Sequence, residues 1–422
     1  VKACYISNFL PGYHRRVGGA DYLTFRFARA ARKRGCEISF IVTKSAGYSK
    51  KTVDGFPVFP VAVLEDLFPR NIKKIIEILK WYVFQFDPIV YFSIKRLLHK
   101  LKPDIVHLHS FYLFTFAVII AARREQIPVC VSIYDYWMFC PQMTLTNTDG
   151  RSCRRVQGAR CVRCLPEKFL LIQKILLYLR EPIFRYFLNK IDNFIVLSRN
   201  SASILEDMRV PGGKVTIVNQ PGDMSLIRTE ICPKRGHMIL YVGWIEKRKG
   251  LHVIVRAMPK IIESFSDARL FVISDIARYQ EYYYRNILIQ INQLGLEKHV
   301  FLAGPKPYKE VKEFLSKADV VVIPEQWENM SPVILTEAML AGKAIVASDI
   351  GGIPEFIKDD YNGLLAEPKN PSSFASKITR ILIDDKQCLF GKRARNDAIT
   401  FFGEREAGNK LGHVYSDAQR RT

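Results

Sequence analysis

Residues 320–354 read VVVIPEQWENMSPVILTEAMLAGKAIVASDIGGIP, and this stretch decides the fold. The run Val320 to Ile323 is apolar at every position, as in a strand covered on both faces. Ser331 followed by Pro332 is a helix start: a capping hydroxyl, then a residue with no N–H to satisfy. Gly342 should end that helix about three turns later. Ala344 to Ser348 is a second strand, and Gly351-Gly352 is a turn. A helix N-terminus at the carboxyl end of a parallel strand offers free N–H groups to an anion. Glu328 lies in the loop before the helix and Glu337 within it. Carboxylates beside an anion site are costly unless they hold hydroxyls. The combination suits a sugar nucleotide, with diphosphate on the amides and ribose and sugar hydroxyls on the carboxylates.

The same alternation extends in both directions. Strands are expected at 2–8, 37–42, 58–63, 104–108, 129–134, 193–197 and 214–218, then at 238–243, 269–273, 300–304, 320–324, 344–348 and 363–366. Helical patterns lie between most of them, so the fold class is α/β with two doubly wound, Rossmann-like domains facing across a cleft. The expected domains are 1–222 and 237–397, joined through a Pro-, Gly- and charge-rich hinge at 219–236. A helical tail at about 398–422 has no strand partner and is expected to fold back on the first domain.

At 422 residues, with 48% apolar and 25% charged residues, the chain suits two globular domains with full cores. Its charge is lopsided. Residues 1–200 carry 32 Lys+Arg against 14 Asp+Glu, a net of +18, while residues 201–422 carry 31 against 27, a net of +4. Such a field attracts anions or anionic surfaces. Two basic segments stand out in that half. One, 71–102, sets Ile75, Ile76, Ile78, Leu79, Trp81 and Tyr82 among Lys73, Lys74 and Lys80. The other, 167–190, sets Phe169, Leu170, Leu171, Ile175, Leu176 and Leu177 beside Lys168, Lys174, Arg180 and Arg185. Both read as amphipathic helices for an anionic membrane surface, with burial in the core as the alternative. The most apolar stretch, 111–122, is short of the ~20 residues that span a bilayer. The opening VKACYISNF reads as a first strand rather than a signal peptide. Nine cysteines, an odd number with most in apolar segments, suggest a reducing setting. The expected location is cytoplasmic, peripheral on the inner face of the membrane. No nucleic-acid-binding pattern accompanies the charge.

Several constellations could carry chemistry. Gly18-Gly19-Ala20-Asp21 opens the first helix after the first strand, where glycine lets backbone approach a ligand. Gly243-Trp244-Ile245-Glu246-Lys247-Arg248-Lys249-Gly250 puts three consecutive cations at a strand's carboxyl end, a phosphate pocket. His107 and His109 are expected on opposite faces of one strand, one in the core and His109 toward the ligand edge. Tyr134-Asp135-Tyr136-Trp137 ends the next strand with a carboxylate and aromatic faces suited to sugars. Cys140, Cys153, Cys161 and Cys164 cluster in an arginine-rich stretch; four thiolates could hold a structural zinc, with disulfides or free thiols as alternatives. No Asp-x-Asp occurs, so a carboxylate-held divalent metal is not indicated and no cofactor is expected for catalysis.

In this order the motifs resemble the retaining glycosyltransferases of family 4, which have the two-domain GT-B fold. Gly18-Gly19-Ala20-Asp21 is similar to that family's Gly-Gly-Ala-Glu turn, and Lys249-Gly250 to its Lys-Gly phosphate site. Glu337-Ala338-Met339 with Gly342 resembles its Glu-Ala-Met helix. Gly351-Gly352-Ile353-Pro354-Glu355 and Asn362-Gly363-Leu364-Leu365 resemble its final turn and strand. The Asp-Tyr-Trp segment followed by clustered cysteines resembles one subgroup. The resemblance implies a nucleotide-sugar donor in the second domain and a glycan or lipid-linked acceptor in the first. Glu337 would hold the ribose. Lys249, with Lys247 or Arg248, would neutralise the diphosphate. Glu328 and the segment Asn329, Met330, Ser331 and Pro332 would bind the transferred sugar, and the Gly18-Gly19 turn and Gly243 would line the phosphates. His109 and Asp135 are the acceptor-side candidates. The sequence departs from the family at Trp244, where Arg is usual, at Tyr134, where His is usual, and at Ser274-Asp275, where Gly-x-Gly is usual. Eight residues rather than seven separate Glu328 from Glu337. A GT-B scaffold without activity and a GT-B sugar-nucleotide epimerase are the alternative readings.

Overall fold

The computed structural model describes the chain except residues 16, 46–49, 70–71, 74–75, 78–79, 81–84, 166–169, 229–235, 276–279, 385 and 421–422, and except the side chains of 170–173. It divides into two compact units. The first comprises Val1–Pro221 and Glu404–Thr422, the second Gly222–Gly403.

The first unit carries strands β1 (Lys2–Ser7), β2 (Glu37–Thr43), β3 (Thr52–Val53), β4 (Phe56–Val61), β5 (Ile105–Leu108), β6 (Val129–Ser132), β7 (Asn193–Val196) and β8 (Val215–Ile217). They form one eight-stranded sheet in the order β3-β4-β2-β1-β5-β6-β7-β8. All neighbours pair parallel except the short β3–β4 hairpin, which the sequence pattern does not reveal. Its helices are α1 (Gly19–Arg32), α2 (Pro88–Leu101), α3 (Ala117–Arg124), α4 (Leu170–Leu188) and α5 (Arg199–Asp207). Local chemistry sets their starts. Asp87 caps α2, its Oδ1 accepting from the amides of Ile89 and Val90 at 3.0 Å, with Pro88 at the first helical position.

In the second unit, β9 (Met238–Val242), β10 (Arg269–Ile273), β11 (Val300–Gly304), β12 (Val320–Ile323), β13 (Ala344–Ser348) and β14 (Leu364–Ala366) form a six-stranded sheet in the order β11-β10-β9-β12-β13-β14, every pair parallel. The helices are α6 (Leu251–Ser264), α7 (Glu281–Gln293), α8 (Tyr308–Lys317), α9 (Val333–Leu340), α10 (Pro371–Ile383) and α11 (Gln387–Phe401). A last helix, α12 (Glu404–Arg420), belongs to the first unit and lies against α1. There the Tyr415 hydroxyl meets the Tyr5 hydroxyl at 2.7 Å and His107 Nδ1 at 2.8 Å. Gly408 permits this approach, since a Cβ there would stand 2.6 Å from the Ala30 carbonyl oxygen. The tail is thus two helices: α11 stays with the second sheet, and only the part after Gly403 joins the first. Every expected strand is present, with ends shifted by a residue or two.

Other details depart from expectation. Ser331 does not cap α9: the N-cap is Pro332, without a side-chain acceptor, and the helix runs eight residues, little more than two turns. Gly342 does end it, at φ +66°, and Arg395 satisfies the carbonyls there, Nε donating to Leu340 O at 3.0 Å and Nη2 to Ala341 O at 2.7 Å. Lys80, read as a membrane-facing cation, is buried at 2% exposure; its Nζ donates to Glu65 Oε2 at 2.5 Å, Asp87 Oδ2 at 3.1 Å and the Leu113 carbonyl at 2.9 Å. Lys74, Ile75, Ile78, Leu79, Trp81 and Tyr82 of that segment, Lys168 and Phe169 of the other, and residues 229–235 of the expected hinge lie outside the described residues. Arg180 is likewise buried, donating to the Trp137 carbonyl. Cys388 is disulfide-bonded, which a wholly reduced chain did not anticipate. Among the described residues no helix is long and apolar enough to cross a membrane.

Candidate functional site

In the second unit, β9, β12 and β13 are adjacent, so the loops leaving their carboxyl ends meet. The first loop turns through a short 3-10 segment, Lys247–Lys249, and closes at Gly250, φ +73°. A Cβ on Gly250 would stand 1.8 Å from the Pro324 carbonyl oxygen. Only glycine lets the cationic turn lie this close to the loop after β12. Gln326 N donates to Arg248 O at 2.8 Å across the same seam. On the other side Gly351, φ +64°, places its Cα where a Cβ would lie 2.4 Å from Asn329 O, and Gly352 N donates to that oxygen at 2.8 Å. The loop carrying Glu328 to Ser331 is therefore clamped between two glycine turns. Glu328, Asn329, Met330 and Ser331 are all buried, as is Glu337 one turn into α9.

At the centre is a buried carboxylate that no sequence motif marks out. Glu325, 3% exposed, accepts from Lys249 Nζ at 2.7 Å through Oε1, from Asn329 Nδ2 at 2.9 Å through the same oxygen, and from Trp327 Nε1 at 2.6 Å through Oε2. It thus fixes the lysine and the clamped loop together. The Arg248 guanidinium lies 4.7 Å from the centre of the Trp327 ring, and its Nε donates to Glu246. Lys247 is exposed. Lys249 and Asn329 thus come together on Glu325, with Arg248 at their edge. A carboxylate immediately following strand β12 was the signal that could have pointed to Glu325, but a charged residue leaving a strand usually faces water. Only the adjacency of β9 and β12 gives it a lysine.

In the first unit, Gly18 and Glu-like Asp21 start α1, Asp21 Oδ2 accepting from Gly18 N at 2.7 Å. Burial pushes the Asp21 carboxyl up to about 6 against the pull of that hydrogen bond. His107 and His109 do not face opposite ways. Side chains two apart on a pleated strand share a face, and the two rings lie 4.0 Å apart. Burial takes His107 down to about 3, and burial with the neighbouring His107 takes His109 well down, so both imidazoles are neutral. His109 is 2% exposed, shares a 2.7 Å hydrogen bond between Nδ1 and the Tyr134 hydroxyl, and keeps Nε2 buried without a partner. Asp135 Oδ1 accepts from Trp137 N at 2.9 Å, holding the turn after β6.

The zinc clamp is not found. Among the described residues no three His, Cys, Asp or Glu side chains converge to hold a metal. Cys140 follows the turn after β6, Cys153 lies beyond an isolated bridge between Thr146 and Ser152, and Cys161 and Cys164 sit on a 3-10 segment, Gly158–Cys164. They are free thiols, and burial raises the Cys161 thiol to about 11, with Cys140 and Cys164 adding to the rise.

The sequence pattern described as "Glycosyltransferase Family 4" matches residues 17–225, and that described as "Glycosyl transferases group 1" matches 227–397. An uncharacterized glycosyltransferase of Methanocaldococcus jannaschii is 39% identical over 149 residues, covering 35% of this chain and 36% of that protein. A lipopolysaccharide 1,2-N-acetylglucosaminetransferase of Salmonella typhimurium is 31% identical over 164 residues, covering 38% and 42%. The chain spans about half the length, or less, of the curated relatives it matches first. In three dimensions Anabaena HepE, solved with UDP, superimposes with a TM-score of 0.71 over 99% of this chain and 100% of that one at 16% identity, a likeness of fold. Two Rossmann-like sheets in these units, and two family patterns that between them run from residue 17 to 397, place the chain in the family-4 glycosyltransferases, with the GT-B fold.

Proposed function

We propose that this protein is a retaining, metal-independent hexosyltransferase that takes a sugar from a UDP or GDP donor and delivers it to a lipid-linked or polysaccharide acceptor at a membrane surface. The observation that carries the donor side is Lys249, held at 2.7 Å by buried Glu325 where three loops from adjacent strands converge. A cation so placed, with Arg248 and Lys247 nearby, stabilises charge developing on a departing diphosphate. Glu337 holds the ribose hydroxyls. Glu328, Asn329 and the amides near Met330 and Ser331 hold the sugar. Gly18, Gly19 and Gly243 let backbone approach the donor, and His109 and Asp135 serve the acceptor. The proton of the acceptor hydroxyl passes to the leaving phosphate oxygen as the new glycosidic bond forms. Support for a uridine donor comes from the fold relative solved with UDP-glucose, and support for a surface glycan acceptor from the lipopolysaccharide transferase. The basic first half, net +18 over residues 1–200, supports an anionic lipid surface.

The test is turnover. A panel of UDP-, GDP- and ADP-sugars screened by thermal shift identifies the donor, and transfer is then followed with that donor. Lys249→Ala and Glu337→Ala should each reduce kcat/KM by about 100-fold or more, in line with loss of a group acting on developing charge. Wild-type protein that binds no sugar nucleotide and shows no turnover supports the inactive scaffold instead. Sugar-nucleotide conversion without acceptor supports the epimerase.

A further inference from the structure

Helix α4 (Leu170–Leu188) turns one face inward and leaves another uncovered. Leu177, Phe184, Phe187 and Leu188 are buried. Opposite them, Ile175 is 56% exposed, Tyr178 72%, Leu179 48% and Tyr186 57%. At about 100° per residue these four fall in a stripe roughly 100° wide, which runs about 16 Å along the helix. Pro182, also exposed, lies in the same stripe. Lys174 and Arg185 fall on one flank by the same spacing, with Glu181 accepting from Arg185 Nη2 at 3.4 Å, and Lys190, just past the helix end, sets its Nζ 4.6 Å from the centre of the Tyr186 ring. The 3-10 segment Gly158–Cys164, packed on this helix, adds exposed Arg160 and Arg163. An exposed apolar stripe of this size on a helix with a well-packed inner face is a docking surface, and its basic borders define what it fits.

We propose that this face of α4 seats the first unit on an anionic lipid bilayer. This deepens the membrane part of the proposed function and rests on it only for purpose. Ile175 and Leu179 enter the acyl boundary, while Tyr178 and Tyr186, apolar in body and polar at the tip, sit at headgroup depth. Lys174, Lys190, Arg160 and Arg163 meet the lipid phosphates, while Arg185 is paired with Glu181. Arg180 takes no part, because it is buried. A neutral protein partner would find no use for the basic border, and a second copy would set like charges against each other.

The experiment is sedimentation of the full chain with phosphatidylcholine vesicles, with or without 30 mol% phosphatidylglycerol. Binding should need the anionic lipid and weaken with salt. The double variant Tyr178→Ser/Leu179→Ser, whose side chains touch solvent, should keep the wild-type melting temperature and lose at least about tenfold in partitioning. Lys174→Gln and Arg163→Gln should each lose about fivefold, equivalent to ~1 kcal/mol per basic residue near a charged surface. Lys249→Ala should sediment like wild type, so membrane docking and donor chemistry fail separately. Binding unchanged in the serine variant, equal binding to both vesicles, or self-association that the serine variant abolishes would each overturn the proposal.

Discussion

Replacing Glu325 by alanine tests whether the donor loop is organised around one buried carboxylate. The substitution removes the acceptor of three donors: Lys249 Nζ, Asn329 Nδ2 and Trp327 Nε1. Trp327 and Asn329 are 4% and 7% exposed, so their N–H groups cannot turn to water. Leaving each without this partner costs about 1–3 kcal/mol. The Lys249 side chain is 20% exposed and can swing toward solvent, so its share is about 0–1 kcal/mol. The total is roughly 2–7 kcal/mol, a large part of the ~5–15 kcal/mol that holds a domain together. Urea unfolding followed by tryptophan fluorescence reads it, because Trp244 and Trp327 both belong to the second unit. With m of ~3 kcal/mol/M for a domain of this size, the midpoint of that unit's transition should fall by about 0.7–2.3 M. Glu325→Gln should fall by less, since it keeps one acceptor oxygen but turns an amide N–H toward one of the donors. A fall below about 1 kcal/mol for the alanine variant, at unchanged m, refutes the idea that this carboxylate organises the loop.

Two further predictions follow from the geometry of the two units. Gly250→Ala puts a Cβ 1.8 Å from a backbone oxygen at φ +73°, so beyond the ~1–2 kcal/mol of a left-handed alanine the two loops must separate; calorimetry should show the second unit destabilised by more than about 2 kcal/mol, with donor-induced stabilisation lost, and a variant that still binds donor normally counts against the clamp. The Asp21 carboxyl is raised to about 6 in the fold and sits near ~3.9 when unfolded, so the folded chain holds the proton longer and stability falls as pH rises from about 4 to about 6. The loss amounts to at most ~3 kcal/mol and is complete above that window. Asp21→Asn should flatten that slope, read from unfolding midpoints of the first unit between pH 4 and 7, and equal slopes in the two proteins would contradict it.

Much of this protein is local and therefore legible along the chain. Apolar runs such as Val320 to Ile323 become strands because the period of burial is written in consecutive residues. Gly342 ends a helix through a left-handed conformation set at a single residue. The Lys249-Gly250 and Gly351-Gly352 turns stand out along the chain as turns at strand ends because the strands before them could be counted. What the chain did not reveal depends on partners distant in sequence. Lys80 reads as a surface cation until Glu65 and Asp87 enclose it. Glu325 reads as a loop charge until strand order brings Lys249, 76 residues away, to its oxygen. The four cysteines look like a metal set, but among the described residues no such group of ligands is assembled. Periodicity, capping and turn chemistry are short-range and survive in the one-dimensional pattern. Charge pairing in a low-dielectric interior is decided by which strands become neighbours, and that order exists only once the sheet has formed.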